Sequence, residues 1–171
     1  KKKSLNELRK SVTMIMQDPE KQIFHSNIYD DVAFGPRNLG KSESEVDEIV
    51  TRNLKSVNMW ELREKPVHYI SYGQKKRVAL AQALIEAYLY EGRCLLIMDE
   101  PTNHMDMEAI EALNNALMKF DGTLIFVSHD REFVSTLATD ILEIQEQKMV
   151  VFHGTYDEYL ASQGLLEGQS A

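Results

Sequence analysis

The sequence has one cysteine, Cys94. No internal disulfide is possible, and a reducing compartment is the default for such a chain. No apolar run approaches the ~20 residues that span a bilayer, and no leader peptide is visible. The expectation is a cytoplasmic protein, at most peripheral to a membrane, with no direct insertion. Positive charge is also short: 19 Lys and Arg face 27 Asp and Glu, for a formal net charge of −8. That argues against binding nucleic acid or anionic lipid through overall charge. Lys75, Lys76 and Arg77 form a short local basic patch. The chain starts KKKS without methionine, which reads as a trimmed product or an excised piece. The tail GLLEGQSA (164–171) reads as flexible. What remains is ordinary globular composition, 43% hydrophobic and 27% charged over 171 residues. That suffices for one domain with a real core or two tightly joined halves.

Periodicity supplies the elements. VTMIM (12–16), CLLIMD (94–99) and TLIFVS (123–128) are short apolar runs, read as buried strands. NIYDDVAF (27–34) fits helix or strand. SESEVDEIVTRNLKSV (42–57) is a helix, with Ser42 and Glu45 as a capping box and Val46, Ile49, Val50, Leu54 and Val57 on one face. ISYGQKKRVALAQALIEAYL (70–89) reads as a Ser/Gly-led loop and a largely buried helix. Helices follow at 107–120 and 130–138. DILEI and MVVFH form a terminal hairpin. TYDEYLASQ is a last helix, with Thr155 and Glu158 as its capping box. Apolar strands alternating with helices give an α/β fold with a mainly parallel sheet. Residues 25–90 read as a helical subdomain inserted into a three-layer sheet core made of 1–24 and 91–163.

The strongest chemical signal is CLLIMDEP (94–101). An apolar strand delivers two carboxylates to its C-terminal end, where α/β proteins bind ligands. Asp99 is placed to hold Mg²⁺, and Glu100 to orient and deprotonate an attacking water. Alone, the pair is equally a strand ending in a solvated acidic turn. In ISYGQKK (70–76), Ser71 and the Gly73 backbone can offer a hydroxyl and amides to a phosphate; a plain helix cap is the simpler alternative. His129 ends TLIFVSHD, where a ring nitrogen can contact a γ-phosphate or make a structural hydrogen bond. Consecutive Ser128, His129 and Asp130 cannot converge as a hydrolase triad.

Together these residues resemble the ATPase domain of ABC proteins, in the family's order and over almost the whole chain. Gln17 in MQDPEKQ resembles the Q-loop glutamine, ISYGQ the signature usually written LSGGQ, and CLLIMDE the Walker B strand with its catalytic glutamate. NHMD (103–106) resembles the D-loop and His129 the switch histidine. The resemblance implies a P-loop NTPase (RecA-like) core that binds ATP and Mg²⁺. Glu100, His129 and Gln17 would be catalytic. Ser71, Gly73, Gln74 and Asp106 would bind nucleotide, and Asp99 with Gln17 would hold Mg²⁺. Residues 1–85 resemble the ATPases of energy-coupling-factor importers for cobalt, nickel or vitamins. Residues 90–165 resemble the ABC-F group, which acts at the ribosome. A junction near 82–94, and hence a chimera or a designed protein, is the corresponding expectation. A membrane coupling protein, the ribosome, another ABC ATPase subunit or a second copy are the implied partners.

GPRNLGKS (35–42) matches the phosphate-loop pattern G-x-x-x-x-G-K-[ST]. In the family that loop precedes the Q-loop, whereas this match follows Gln17. Pro36 removes one of the amides that such a loop aims at phosphate. Asp30 and Asp31 precede it in place of a buried strand. The match therefore reads as chance, and Walker A as absent. Three functions stay open: an ABC ATPase with impaired hydrolysis, a module that lends its signature to an intact partner, and an inactive chimeric or fragment scaffold.

Overall fold

A computed structural model describes residues 12–89 and 95–165. The basic start at 1–11, Cys94 with the rest of 90–94, and the tail from 166 lie outside the described residues. The chain divides into two compact units, one ending at Ser128 and one beginning at His129.

The first unit holds a parallel sheet of β1 (Val12–Ile15), β2 (Leu95–Asp99) and β3 (Thr123–Val127), in the order β1-β2-β3. Ile15 pairs with Met98, and Asp99 with Val127. Parallel pairing in this register brings the three C-terminal ends to one edge. Ile15, Leu96 and Met98 are buried on one face. On the other face Met14, Ile97 and Ile125 lie in one row, and Met14 and Ile125 are exposed.

Between β1 and β2 the described elements are helical: α1 (Ile28–Asn38), α2 (Glu43–Ser56) and α3 (Tyr72–Leu89), with short 3₁₀ turns. The ambiguous NIYDDVAF is helix because Asn27 caps it, its side chain accepting from the Asp30 N–H at 2.8 Å. The Ser42–Glu45 capping box opens α2. α3 packs against α1, α2 and β1. Val78, Leu80 and Ile85 are buried, with small Ala79, Ala81 and Ala83 between them. A helix contacted on several sides loses its polar stripe. α4 (Met107–Leu117) buries Leu113 and Leu117 and contacts both α2 and α3.

The second unit contains α5 (Arg131–Leu137), the antiparallel hairpin β4 (Asp140–Gln145) and β5 (Lys148–His153), and α6 (Tyr156–Ser162). The Thr155–Glu158 capping box is present on α6. The hairpin turn is Glu146-Gln147, both in the left-handed region at φ 47° and 66°.

Candidate functional site

The site follows from the sheet. Gln17 lies two residues past Ile15 at the end of β1, next to the end of β2, where Asp99 and Glu100 stand. Asp99 is exposed and Glu100 half-buried. Glu100 has φ 46°, a left-handed backbone that side chains disfavour. Its N–H donates to the Val127 carbonyl at 2.9 Å. Thr102, buried behind it, lies 3.3 Å from the Ser128 hydroxyl. The acidic turn is thus pinned to the end of β3.

Ser71 and Gln74 cap each other. The Gln74 N–H donates to Ser71 Oγ at 3.2 Å, and the Ser71 N–H to Gln74 Oε1 at 2.9 Å. Both residues have helix-capping work, and a hydroxyl that accepts one bond keeps a proton to donate. Gly73 lies in the first turn of α3, not in a preceding loop. A side chain there would meet Met105 Cγ at 3.6 Å and the His104 carbonyl at 3.7 Å. Asp106 caps α4, accepting from the Ala109 N–H at 2.8 Å. His129 opens the second unit, ahead of Asp130, whose carboxylate caps α5 through the Phe133 N–H at 3.1 Å.

The structure corrects the basic patch. Lys76 is 4% and Arg77 7% exposed, because α3 turns that side inward. Arg77 donates to the Val57 carbonyl at the C-terminal cap of α2, where a cation complements the helix dipole. Lys76 Nζ donates to the Glu100 and Pro101 carbonyls at 2.6 and 3.2 Å. Burial pushes its amine below the ordinary lysine value, against the opposing pull of Glu100 and Asp99. Sequence reasoning missed this residue because its Lys-Lys-Arg neighbourhood reads as a solvated face. The buried run of small and branched residues at 78–81 was the available signal.

GPRNLGKS spans the end of α1 and the start of α2. Gly35, Pro36, Arg37 and Asn38 belong to α1, and Ser42 caps α2. Lys41 pairs with Glu45 at 3.3 Å. This is a helix–turn–helix, whereas a phosphate loop joins a strand to a helix.

Among the described residues no three His, Cys, Asp or Glu side chains converge as a metal site. Asp99 and Gln17 offer oxygen donors suited to Mg²⁺, which keeps several waters and takes the rest of its ligands from phosphate. A cleft of about 440 Å³ is lined by residues that include Glu20, Phe24, His25, His68 and Lys75, but by none of the candidate site residues. Among the described residues no helix is long and apolar enough to cross a membrane.

The ABC transporter family model matches residues 1–103. The chain is 37% identical over 150 residues to the energy-coupling factor transporter ATP-binding protein EcfA of Carboxydothermus hydrogenoformans. That match covers 86% of the chain and 54% of the relative. EcfA of Methanococcus maripaludis is 34% identical over 151 residues, covering 86% of the chain and 52% of the relative. The solved cbiO1 of Clostridium perfringens, described as part of the ABC transporter complex cbiONQ, superposes with a TM-score of 0.77 at 31% identity. It covers 92% of the chain and 62% of that structure. The chain therefore spans about half the length of these curated relatives. Each match extends on both sides of 82–94, so none marks a junction there. The chimera, the ABC-F likeness and the ribosome draw no support from them.

Proposed function

This chain belongs to the ABC transporter family and has the α/β, parallel-sheet fold of its ATPases, and on that premise we propose that it supplies the hydrolytic edge of an ATP-binding domain. The observation that carries the reading is the pair Asp99-Glu100 at the end of the middle parallel strand, one strand from Gln17. In this reading Asp99 and Gln17 hold Mg²⁺, which neutralises phosphate charge, and Glu100 orients the attacking water. For His129 the family resemblance alone suggests a γ-phosphate contact. Asp106, Ser71, Gly73 and Gln74 belong to the nucleotide contacts, the last three at the N-terminus of α3, where amides and dipole favour phosphate. The chain's likeness to transporter ATP-binding proteins and to a part of an ABC transporter complex supports service to a transporter, and a membrane component of such a complex is the proposed partner. Mg-ATP turnover by residues 1–171 alone is expected to be weak. The single phosphate-loop match is a helix end, so charge on the γ-phosphate lacks that loop's lysine.

A second reading has the signature segment act on ATP held by another ABC subunit. It is favoured by the exposed Ser71 at the capped start of α3. Phosphate release separates the two. Turnover by the chain alone, lost in Glu100→Gln, supports the first. Turnover only with an intact ABC subunit, lost in Ser71→Arg, supports the second. No turnover in either setting overturns both.

A further inference from the structure

Tyr72 and Lys76 lie four residues apart, on one face of the first turns of α3. The Tyr72 hydroxyl donates to the Gln17 carbonyl at 2.7 Å. Its ring meets His104 edge-on, with centroids 5.5 Å apart. The Lys76 ammonium is 5.6 Å from the Tyr72 ring centroid, close enough for a cation–π contact. That ammonium also donates to the carbonyls of Glu100 and Pro101. Glu100 is left-handed, a conformation that persists only where the surroundings over-determine it. Its carbonyl accepts from Lys76 at 2.6 Å and from the Asn103 N–H at 3.3 Å. The segment 71–77 thereby reaches both ends of the site through main-chain atoms.

We propose that Tyr72 and Lys76 form a clasp that fixes the backbones of Gln17 and Glu100 relative to the Ser71–Gln74 cap, with Lys76 as a positioning residue for Glu100. The inference rests on the reading of Glu100 as the hydrolytic carboxylate, but the clasp is measurable without it. A displacement of the first turn of α3 moves the Glu100 carbonyl, so contact at Ser71–Gln74 and orientation of the Glu100 carboxylate are linked mechanically. A buried amine bonded to neutral carbonyls suits that task. It fixes main chain and leaves both carboxylates to other partners.

The test is amide hydrogen exchange by mass spectrometry on the full chain, read over 14–19 and 96–105, beside thermal melting. Lys76→Met is expected to speed exchange of the Glu100 and Asn103 amides at least tenfold while a cooperative melt persists. Lys76→Arg, which keeps donors for both carbonyls, restores protection. Tyr72→Phe speeds exchange over 14–19 by threefold or more. Should Lys76→Met not fold, Lys76→Gln is read by the same criterion. Wild-type exchange at 100–103 in the Lys76 variant overturns the clasp, as does an Arg variant that behaves like Met. In turnover with an intact ABC subunit, Lys76→Met lowers kcat and leaves KM for Mg-ATP unchanged. If Glu100→Gln leaves turnover intact, the hydrolytic reading fails, and the exchange data still decide the clasp.

Discussion

Asp31 is 1% exposed, and its carboxylate joins three segments of the first unit. It accepts from the Phe24 and His25 N–H groups at 3.0 and 2.9 Å and from the Gln82 amide of α3. Buried donors robbed of their acceptor cost ~1–3 kcal/mol. Asp31→Ala is therefore expected to lower unfolding free energy by about that amount, read by urea denaturation; an unchanged midpoint sinks the idea. Glu100 is judged at the same scale. General-base work contributes on the order of 100-fold or more. Glu100→Gln should cut Mg-ATP turnover by that factor, measured wherever turnover is first established. Asp31 was visible in the sequence only as a polar interruption of an apolar run. Its partners come from the loop at 24–25 and from Gln82 of α3, and no local pattern joins them.

Among the elements, the start of α2 answers what GPRNLGKS does. The Glu45 carboxylate accepts from the Ser42 N–H at 2.9 Å and from its hydroxyl at 2.8 Å. The Ser42 backbone, then its hydroxyl, then Lys41 hold the Glu45 carboxyl down to about 2. Its folded value lies below the unfolded one, so its contribution is complete above the unfolded pKa. That contribution fades as pH falls from about 4.5 through about 2. NMR titration should find Glu45 among the lowest carboxyls, and a midpoint near 4.5 would refute the capping account. Ser42→Ala should cost ~1 kcal/mol, and Lys41→Ala should leave Mg-ATP binding as it was. The β4–β5 turn makes a second case. Two side-chain-bearing residues sit at positive φ, where two-residue hairpins favour Asn-Gly. Replacing Glu146-Gln147 with Asn-Gly is expected to stabilise the second unit by about 1 kcal/mol. The capping boxes at Ser42 and Thr155 were legible because a cap is a four-residue event. The strain at 146–147 was not, since QEQK carries no turn residue.

At the scale of the molecule, the uncovered sheet face stands out. Met14 is 54%, Ile125 40% and Val127 59% exposed, on strands as apolar as those usually buried on both faces. Contiguous apolar surface of this kind drives association. Sedimentation velocity should show self-association at micromolar concentration, and Ile125→Lys should shift the chain toward monomer. A wild-type chain that stays monomeric would remove this face as an interface.

By itself, the sequence determined the order of strands and helices outside NIYDDVAF, the parallel sheet, the two capping boxes and the likeness to ABC ATPases. Each is encoded within a few residues, by periodicity, by caps or by short motifs. Only the tertiary structure decided that Lys76 and Arg77 face inward, and that Tyr72 and Lys76 join Gln17 to Glu100. Those outcomes depend on which face of α3 meets β1 and the turn after β2. Contacts between residues 24 to 55 positions apart set that face, and no local window of sequence contains them.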